Sequence, residues 1–246
     1  MIVKKVTMLD KSFVALHDKI RLEAVKLSAK KDDERQLYAI ALFSSIVEHV
    51  NGVHRLTKHS PNVSVLVLRG TLELYIHLKL TEKRPDYHET RELSLLKTKS
   101  VRLQNNKNYP YYPELTNTEA GKEKERIDLK IKSFLDRGVV PLEKWSARFT
   151  EAGIKNEYCF YQRLCDHAHS DIQTLRDRHL TDNSAIDEVR MFQPLNSFDQ
   201  SEVLMHTAKI FMESIILLAS TLDQKDRVDL SSVEAEYLNF MSIFGR

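Results

Sequence analysis

The stretch Leu204-Met-His-Thr-Ala-Lys-Ile-Phe-Met-Glu-Ser-Ile-Ile-Leu-Leu-Ala-Ser-Thr-Leu222 decides the fold class. Leu204, Ala208, Phe211, Ile215, Leu218 and Leu222 recur at 4-3-4-3-4 spacing. Residues three and four apart lie on one face of a helix, so this repeat draws a narrow apolar seam that needs partner helices to cover it. Just upstream, Ser197-Phe-Asp-Gln200 has the spacing of a capping box. Downstream, residues 231–244 read as a further amphipathic helix.

The partners are found by working outward. Residues 36–58 place Leu37, Ile40, Ala41, Ser44, Val47 and Val50 on one helical face, the face expected to enter the core. Residues 62–82 satisfy two periods at once. Leu72, Leu74, Ile76, Leu78 and Leu80 alternate as in a strand, and Arg69-Gly70 would serve as a hairpin turn. Leu66, Arg69, Leu72, Glu73, Ile76 and Leu80 also share one helical face. Periodicity leaves helix and hairpin open. A charged helix follows over 86–107, with Leu93, Leu96 and Leu103 inward, and Tyr109-Pro-Tyr-Tyr-Pro113 breaks it. Another charged helix starts near Thr118 and Glu119 and runs to Leu135, and Pro141 opens a short helix over 142–152. Residues 155–168 space Tyr158, Tyr161, Leu164 and Cys165 for burial, while 170–196 mix turns and short helical pieces. In the first 35 residues, Phe13, Leu16, Ile20, Val25 and Leu27 suggest an amphipathic helix.

With only 6 Gly and 6 Pro among 246 residues, the turn-rich all-β classes are disfavoured. The expectation is an all-α multi-helix bundle: an N-terminal helical extension over 1–35, a bundle domain over 36–222, and a C-terminal helix over 223–246 packed on it. The net charge of +2 does not announce a nucleic-acid binder. Its distribution is uneven, with 33 Lys/Arg against 27 Asp/Glu in residues 1–195 and 4 against 8 in residues 196–246. Cys159 and Cys165 form no CxxC, so neither a disulfide framework nor a zinc site is expected, and reduced thiols fit a cytoplasmic location. The N-terminal Met1-Ile-Val-Lys-Lys5 lacks the apolar region of a signal peptide. No uncharged apolar run approaches the roughly 18 residues of a spanning helix, so no membrane association is expected.

Motifs for phosphate loops, zinc proteases and serine hydrolases are missing from the sequence, and no cofactor or metal is expected. His49, His54 and His59 recur every five residues, which spirals around a helix, and they read as surface residues. The segment Tyr158-Cys-Phe-Tyr-Gln-Arg-Leu-Cys-Asp-His-Ala-His-Ser170 gathers Arg163, Asp166, His167, His169 and Ser170 into eight residues. A neutral histidine can accept a proton, and a guanidinium can hold a phosphate or stabilise a phosphorane, with Asp166 orienting either. Arg163 and His167 share a face. Arg163 and His169 are about 120° apart on an ideal helix and converge only if the helix ends or bends near Ala168. The same residues also suit a plain helix end, where His favours the macrodipole and Arg pairs with Asp.

Arg163-x5-His169 resembles the Arg-x(4–6)-His motif of the HEPN superfamily (higher eukaryotes and prokaryotes nucleotide-binding). A closer resemblance is to the bacterial family known as domain of unknown function 5677, whose members read Tyr-Arg-Arg-Leu-Ser-x-x-x-His. Tyr161-Gln-Arg-Leu-Cys-Asp-His-Ala-His169 is similar, with Cys165 where Ser is usual, and Arg69-Gly-Thr-Leu-Glu73 is similar to that family's upstream Arg-x-x-x-Glu. The resemblance spans roughly residues 36–222 and favours helix over hairpin at 62–82. It implies a HEPN-like bundle and a metal-independent endoribonuclease, a toxin or effector of antiphage defence. His169 would be the general base and Arg163 the phosphorane stabiliser, leaving a 2′,3′-cyclic phosphate. The implied partners are RNA, a second copy of the chain and an operon-encoded protein. Leu164 departs from the polar residue that many HEPN nucleases carry after the arginine. The rival expectation is a non-catalytic helical module that binds a nucleotide or protein, and a metal hydrolase ranks last.

Arg69 and Glu73 lie on an apolar face, where a lone ion pair is poorly compensated. The sequence therefore predicts that Glu73 draws Arg163 or Arg69 beside His169, with Asp166, His167 and Ser170 supporting the site.

Overall fold

The computed structural model describes residues 2–106, 108–109, 111–169 and 197–244. Nine α-helices and two 3₁₀ turns occupy them, with no strand among the described residues. The helices are α1 (Ile2–Ala24), α2 (Glu34–His59), α3 (Pro61–Lys83), α4 (Tyr87–Gln104), α5 (Asn117–Asp136), α6 (Trp145–Glu151), α7 (Tyr158–His169), α8 (Ser197–Thr221) and α9 (Leu230–Ser242). The all-α bundle expected from the sequence is what forms, and residues 62–82 are helix α3 without a hairpin. The turns expected over 170–196 lie outside the described residues.

The chain divides into two compact units, residues 1–83 with 148–246, and residues 84–147. In the first unit α8 packs against α1, α2, α3 and α9. All six seam residues, Leu204 to Leu222, are buried, and the rings of Phe43 and Phe211 stack 6.1 Å apart between α2 and α8. Residues Gln200–Thr221 are apolar enough to pass for a membrane span by length and composition, yet just over half of that window is buried inside the bundle. Three of its hydroxyls are satisfied locally, Thr207, Ser214 and Thr221 each donating to the carbonyl four residues back, while Ser220 donates to Glu82 on α3 at 3.1 Å. Helix α3 is buried on several sides through Leu68, Leu72, Tyr75, Ile76, Leu78 and Leu80.

Local chemistry sets the helix ends. Asp33 caps α2 by accepting from the Gln36 amide at 2.9 Å. Pro61 opens α3, where a missing N–H costs nothing. In the second unit α4 and α5 pair around Leu93, Phe134 and Val139 at one end and Leu103, Ala120 and Ile127 at the other. Thr116 and Glu119 form a reciprocal capping box, so α5 starts at Asn117, one residue before the expected Thr118. Gly138, at φ 81°, closes α5 in the left-handed conformation, with the Val139 amide reaching the Phe134 carbonyl at 3.0 Å.

Three expectations need correcting. Helix α2 does not bury the predicted face. Ala39, Leu42, Phe43, Ile46, Val50 and Val53 go inside, while Leu37, Ala41 and Ser44 are exposed. Burial follows the more continuous row of large side chains, Phe43 included, which lies to one side of the predicted face. Val25 is exposed because α1 ends at Ala24. Helix α6 begins at Trp145, because Pro141 and the next three residues stay irregular.

The α1–α9 contact holds a buried carboxylate. Glu23 accepts from Lys26 Nζ at 2.6 Å and the Asp229 amide at 2.8 Å, with Lys19 Nζ at 3.2 Å. The Lys26 bond, helped by the Asp229 amide and Lys19 against the cost of burial, holds the Glu23 carboxyl below its ordinary range. A depressed carboxyl stabilises the fold above its unfolded pKa, and that contribution is lost as pH falls through the folded one. The melting-temperature gap between wild type and Glu23→Gln is therefore expected to be widest at neutral pH and to shrink as the buffer is taken below the ordinary carboxylate range. Scanning calorimetry across that acid range checks it.

Candidate functional site

Helix α7 carries the Arg163/His169 motif, and aromatic packing holds it in place. Phe149, at the end of α6, meets Tyr158 edge-on at 5.3 Å and Tyr161 at 5.2 Å. Leu164 is buried one turn on. Toward α3, the Tyr161 hydroxyl donates to Glu73 Oε1 at 2.9 Å. Arg69 Nε lies 3.2 Å from the same oxygen, and the Arg69 guanidinium carbon sits 5.8 Å from the centre of the Tyr161 ring. Burial, and then the Glu73 carboxylate, push the Tyr161 phenol well above its ordinary value, so it stays a donor.

The Arg69/Glu73 pair thus meets α7, as the cost argument required, but through Tyr161 and not Arg163. Each side chain of the pair is 28% exposed, so neither is a fully buried charge. Of the two arginines expected at Glu73, Arg69 is the one paired with it and Arg163 is not, while the expected place of the His169 side chain beside them lies outside the described residues. Arg163 points to the other side of α7, where its Nη1 donates to Glu202 Oε1 on α8 at 3.2 Å. Solvent reaches the Arg163 side chain freely, at 65% exposure. Asp166 is exposed. Helix α7 continues to His169, so the Arg163 and His169 backbone positions are about 9 Å apart along the axis and about 120° apart around it. The side chains of His167 and His169, and all of Ser170, lie outside the described residues.

Arg163 belongs to a three-rung ladder between α7, with the turn before it, and α8. Glu157 pairs with Lys209 at 2.8 Å, Phe160 stacks on His206 at 3.9 Å and 17°, and Arg163 pairs with Glu202. Residue numbers rise on one side and fall on the other, so α7 and α8 run antiparallel here. Below the ladder a cavity of about 50 Å³ opens between Leu72, Tyr75, Phe160, His206, Ile210 and Glu213. Tyr75 donates its phenol proton to Glu213. Burial lowers the His206 pKa, which keeps its ring neutral, while the bond to Glu157 raises that of Lys209. Sequence reasoning passed over these residues. Glu202, His206, Lys209 and Glu213 repeat at 4-3-4 spacing on the same helix as the apolar seam, and that second period was the available signal.

Of the three α2 histidines read as surface residues, His59 is exposed as expected, while the reading of His49 and His54 needs revision. His54 Nε2 lies 2.6 Å from Asp10 Oδ1, and His49 packs against Gly70. Among the described residues, no group of three or more His, Cys, Asp or Glu is arranged to hold a metal ion.

These features define a helical-bundle protein with an exposed arginine on a motif helix braced by a central Arg-x-x-x-Glu helix. The profile of a family of unknown function (DUF5677) matches residues 36–187, and the chain belongs to that family. No curated protein and no solved structure matches the chain.

A hydrogen bond to a charged acceptor contributes about 1.5–3 kcal/mol. Tyr161→Phe is expected to lower unfolding stability by that amount in urea titrations, whereas Arg163→Ala lowers it by less than about 1 kcal/mol, the value of an exposed ion pair.

Proposed function

We propose that this chain is a metal-independent endoribonuclease of HEPN type, acting in a bacterial defence or toxin setting. The observation that carries the reading is the state of Arg163. Its guanidinium stands in solvent on the motif helix, and among the described residues its ion-pair partner is Glu202 at the surface. Such a pair is worth at most about 1 kcal/mol, so a phosphodiester that binds both guanidinium edges can displace the carboxylate. Arg163 then stabilises the pentacoordinate phosphorane. His169, at the end of the same helix, takes the 2′-hydroxyl proton as that oxygen attacks phosphorus. The P–O5′ bond breaks, the 5′-oxygen takes a proton from water, and a 2′,3′-cyclic phosphate remains. The 120° offset within one helix favours a homodimer in which two copies of the motif line one groove.

The test is cleavage of a single-stranded RNA in EDTA, with product ends resolved by mass spectrometry. The expected result is a 2′,3′-cyclic phosphate from wild type and a loss of at least about 100-fold in both Arg163→Ala and His169→Ala. Equal cleavage by all three proteins, or none by wild type, rejects the reading. Glu202→Gln removes the competing carboxylate and is expected to tighten RNA binding up to about 5-fold.

The Arg163–Glu202 contact favours a second reading as well, a non-catalytic module in which the pair only joins α7 to α8. A large fall in the melting temperature of Arg163→Ala supports that alternative.

A further inference from the structure

Helices α1 and α2 meet at one end and part at the other. Near the first end, His54 Nε2 and Lys58 Nζ lie 2.6 and 2.5 Å from Asp10 Oδ1, and the Phe13 ring stacks on His54 at 4.9 Å. Toward the C-terminus of α1 a groove of about 330 Å³ opens between the two helices, with α8 beneath it. Its floor is Leu27, Ile40, Phe43, Val47 and Leu218. Ile40, Ser44 and Val47 belong to the α2 face that the sequence assigned to the core. Their apolar pattern is real, and the described residues leave it partly uncovered.

The volume falls in the range of small-ligand sites, about 300–1,000 Å³. The mouth carries one cation and one anion, Arg21 on α1 and Glu48 on α2. Both are exposed, and among the described residues neither makes a hydrogen bond or ion pair, with each other or with anything else. Two unengaged charges of opposite sign over an apolar floor narrow the chemistry of the occupant. A fatty carboxylate would satisfy Arg21 and meet Glu48, and a simple amine would satisfy Glu48 and meet Arg21. A zwitterion with an apolar body satisfies both.

We infer that this groove is a binding site for a free α-amino acid with a large apolar side chain. Its carboxylate lies on the Arg21 guanidinium, its ammonium on Glu48, and its side chain on the Ile40–Phe43–Val47 floor. The site is separate from α7 and does not rest on the ribonuclease reading.

Calorimetric titration of the full chain with three compounds tests the inference: L-phenylalanine, 3-phenylpropionate, which lacks the ammonium, and phenethylamine, which lacks the carboxylate. Phenylalanine is expected to bind saturably, with each analogue about three- to tenfold weaker, the value of one partly exposed ion pair. Arg21→Gln should erase the preference for phenylalanine over phenethylamine alone, and Glu48→Gln the preference over 3-phenylpropionate alone. Both side chains are at the surface, so the variants keep the fold, which circular dichroism verifies. Equal affinity for all three compounds, no binding of phenylalanine, or tighter binding of 3-phenylpropionate, the mark of an anionic amphiphile, each overturns it.

Discussion

Burial of the α8 seam is the constraint on which the larger unit depends. Six apolar residues spaced by three and four face three other helices, and each loses its water only if α1, α2 and α3 come to it. Fully burying side chains of this size stabilises a fold by about 1.5–3 kcal/mol each, several times what any surface ion pair in the molecule contributes. Because the seam is narrow, the opposite flank of α8 is left for polar residues. Glu202, His206, Lys209 and Glu213 occupy it at the same period.

That division of one helix into two faces also shapes the candidate site. Helix α7 lies between α3 and α8 and presents a different chemistry to each. Toward α3 it offers Tyr161, whose phenol satisfies Glu73 and whose ring lies near Arg69. Toward α8 it offers Glu157, Phe160 and Arg163, each matched by one residue. The first face is partly buried and braces the helix. The second reaches solvent at Arg163, where a partner is cheaply exchanged. A rigid helix carrying an exposed, weakly held guanidinium is a reasonable platform for a phosphate, since little ordering is left to be done when the ligand arrives.

How far these features were legible depends on whether the pattern or the surroundings decide them. The α8 seam was read residue for residue, because its period has one structural solution. The place of the Arg69/Glu73 pair was also legible, since charge on an apolar face demands partners nearby. Which partner answered was not, because Tyr161 and Arg163 sit two residues apart on α7 and only the rotation of that helix separates them. The buried face of α2 was misjudged because two apolar rows run along it. One enters the core and the other borders the groove beside α1, and the spacing of apolar residues along the chain does not say which neighbour stands where. The Phe160–His206 stack joins residues 46 positions apart in sequence, and local reading has no access to such a contact.

The central functional claim is that the exposed arginine of α7 exchanges a carboxylate for RNA phosphate. It is tested most directly by following the side-chain Nε–H resonance of Arg163 by nuclear magnetic resonance while a non-cleavable 2′-deoxy-substituted RNA strand is titrated in. The account predicts a saturable shift at Arg163 that reaches its plateau at lower RNA concentration in Glu202→Gln, where the competing carboxylate is gone. An Arg163 resonance that stays in place while RNA binds elsewhere on the chain, or while no binding is seen at all, contradicts it.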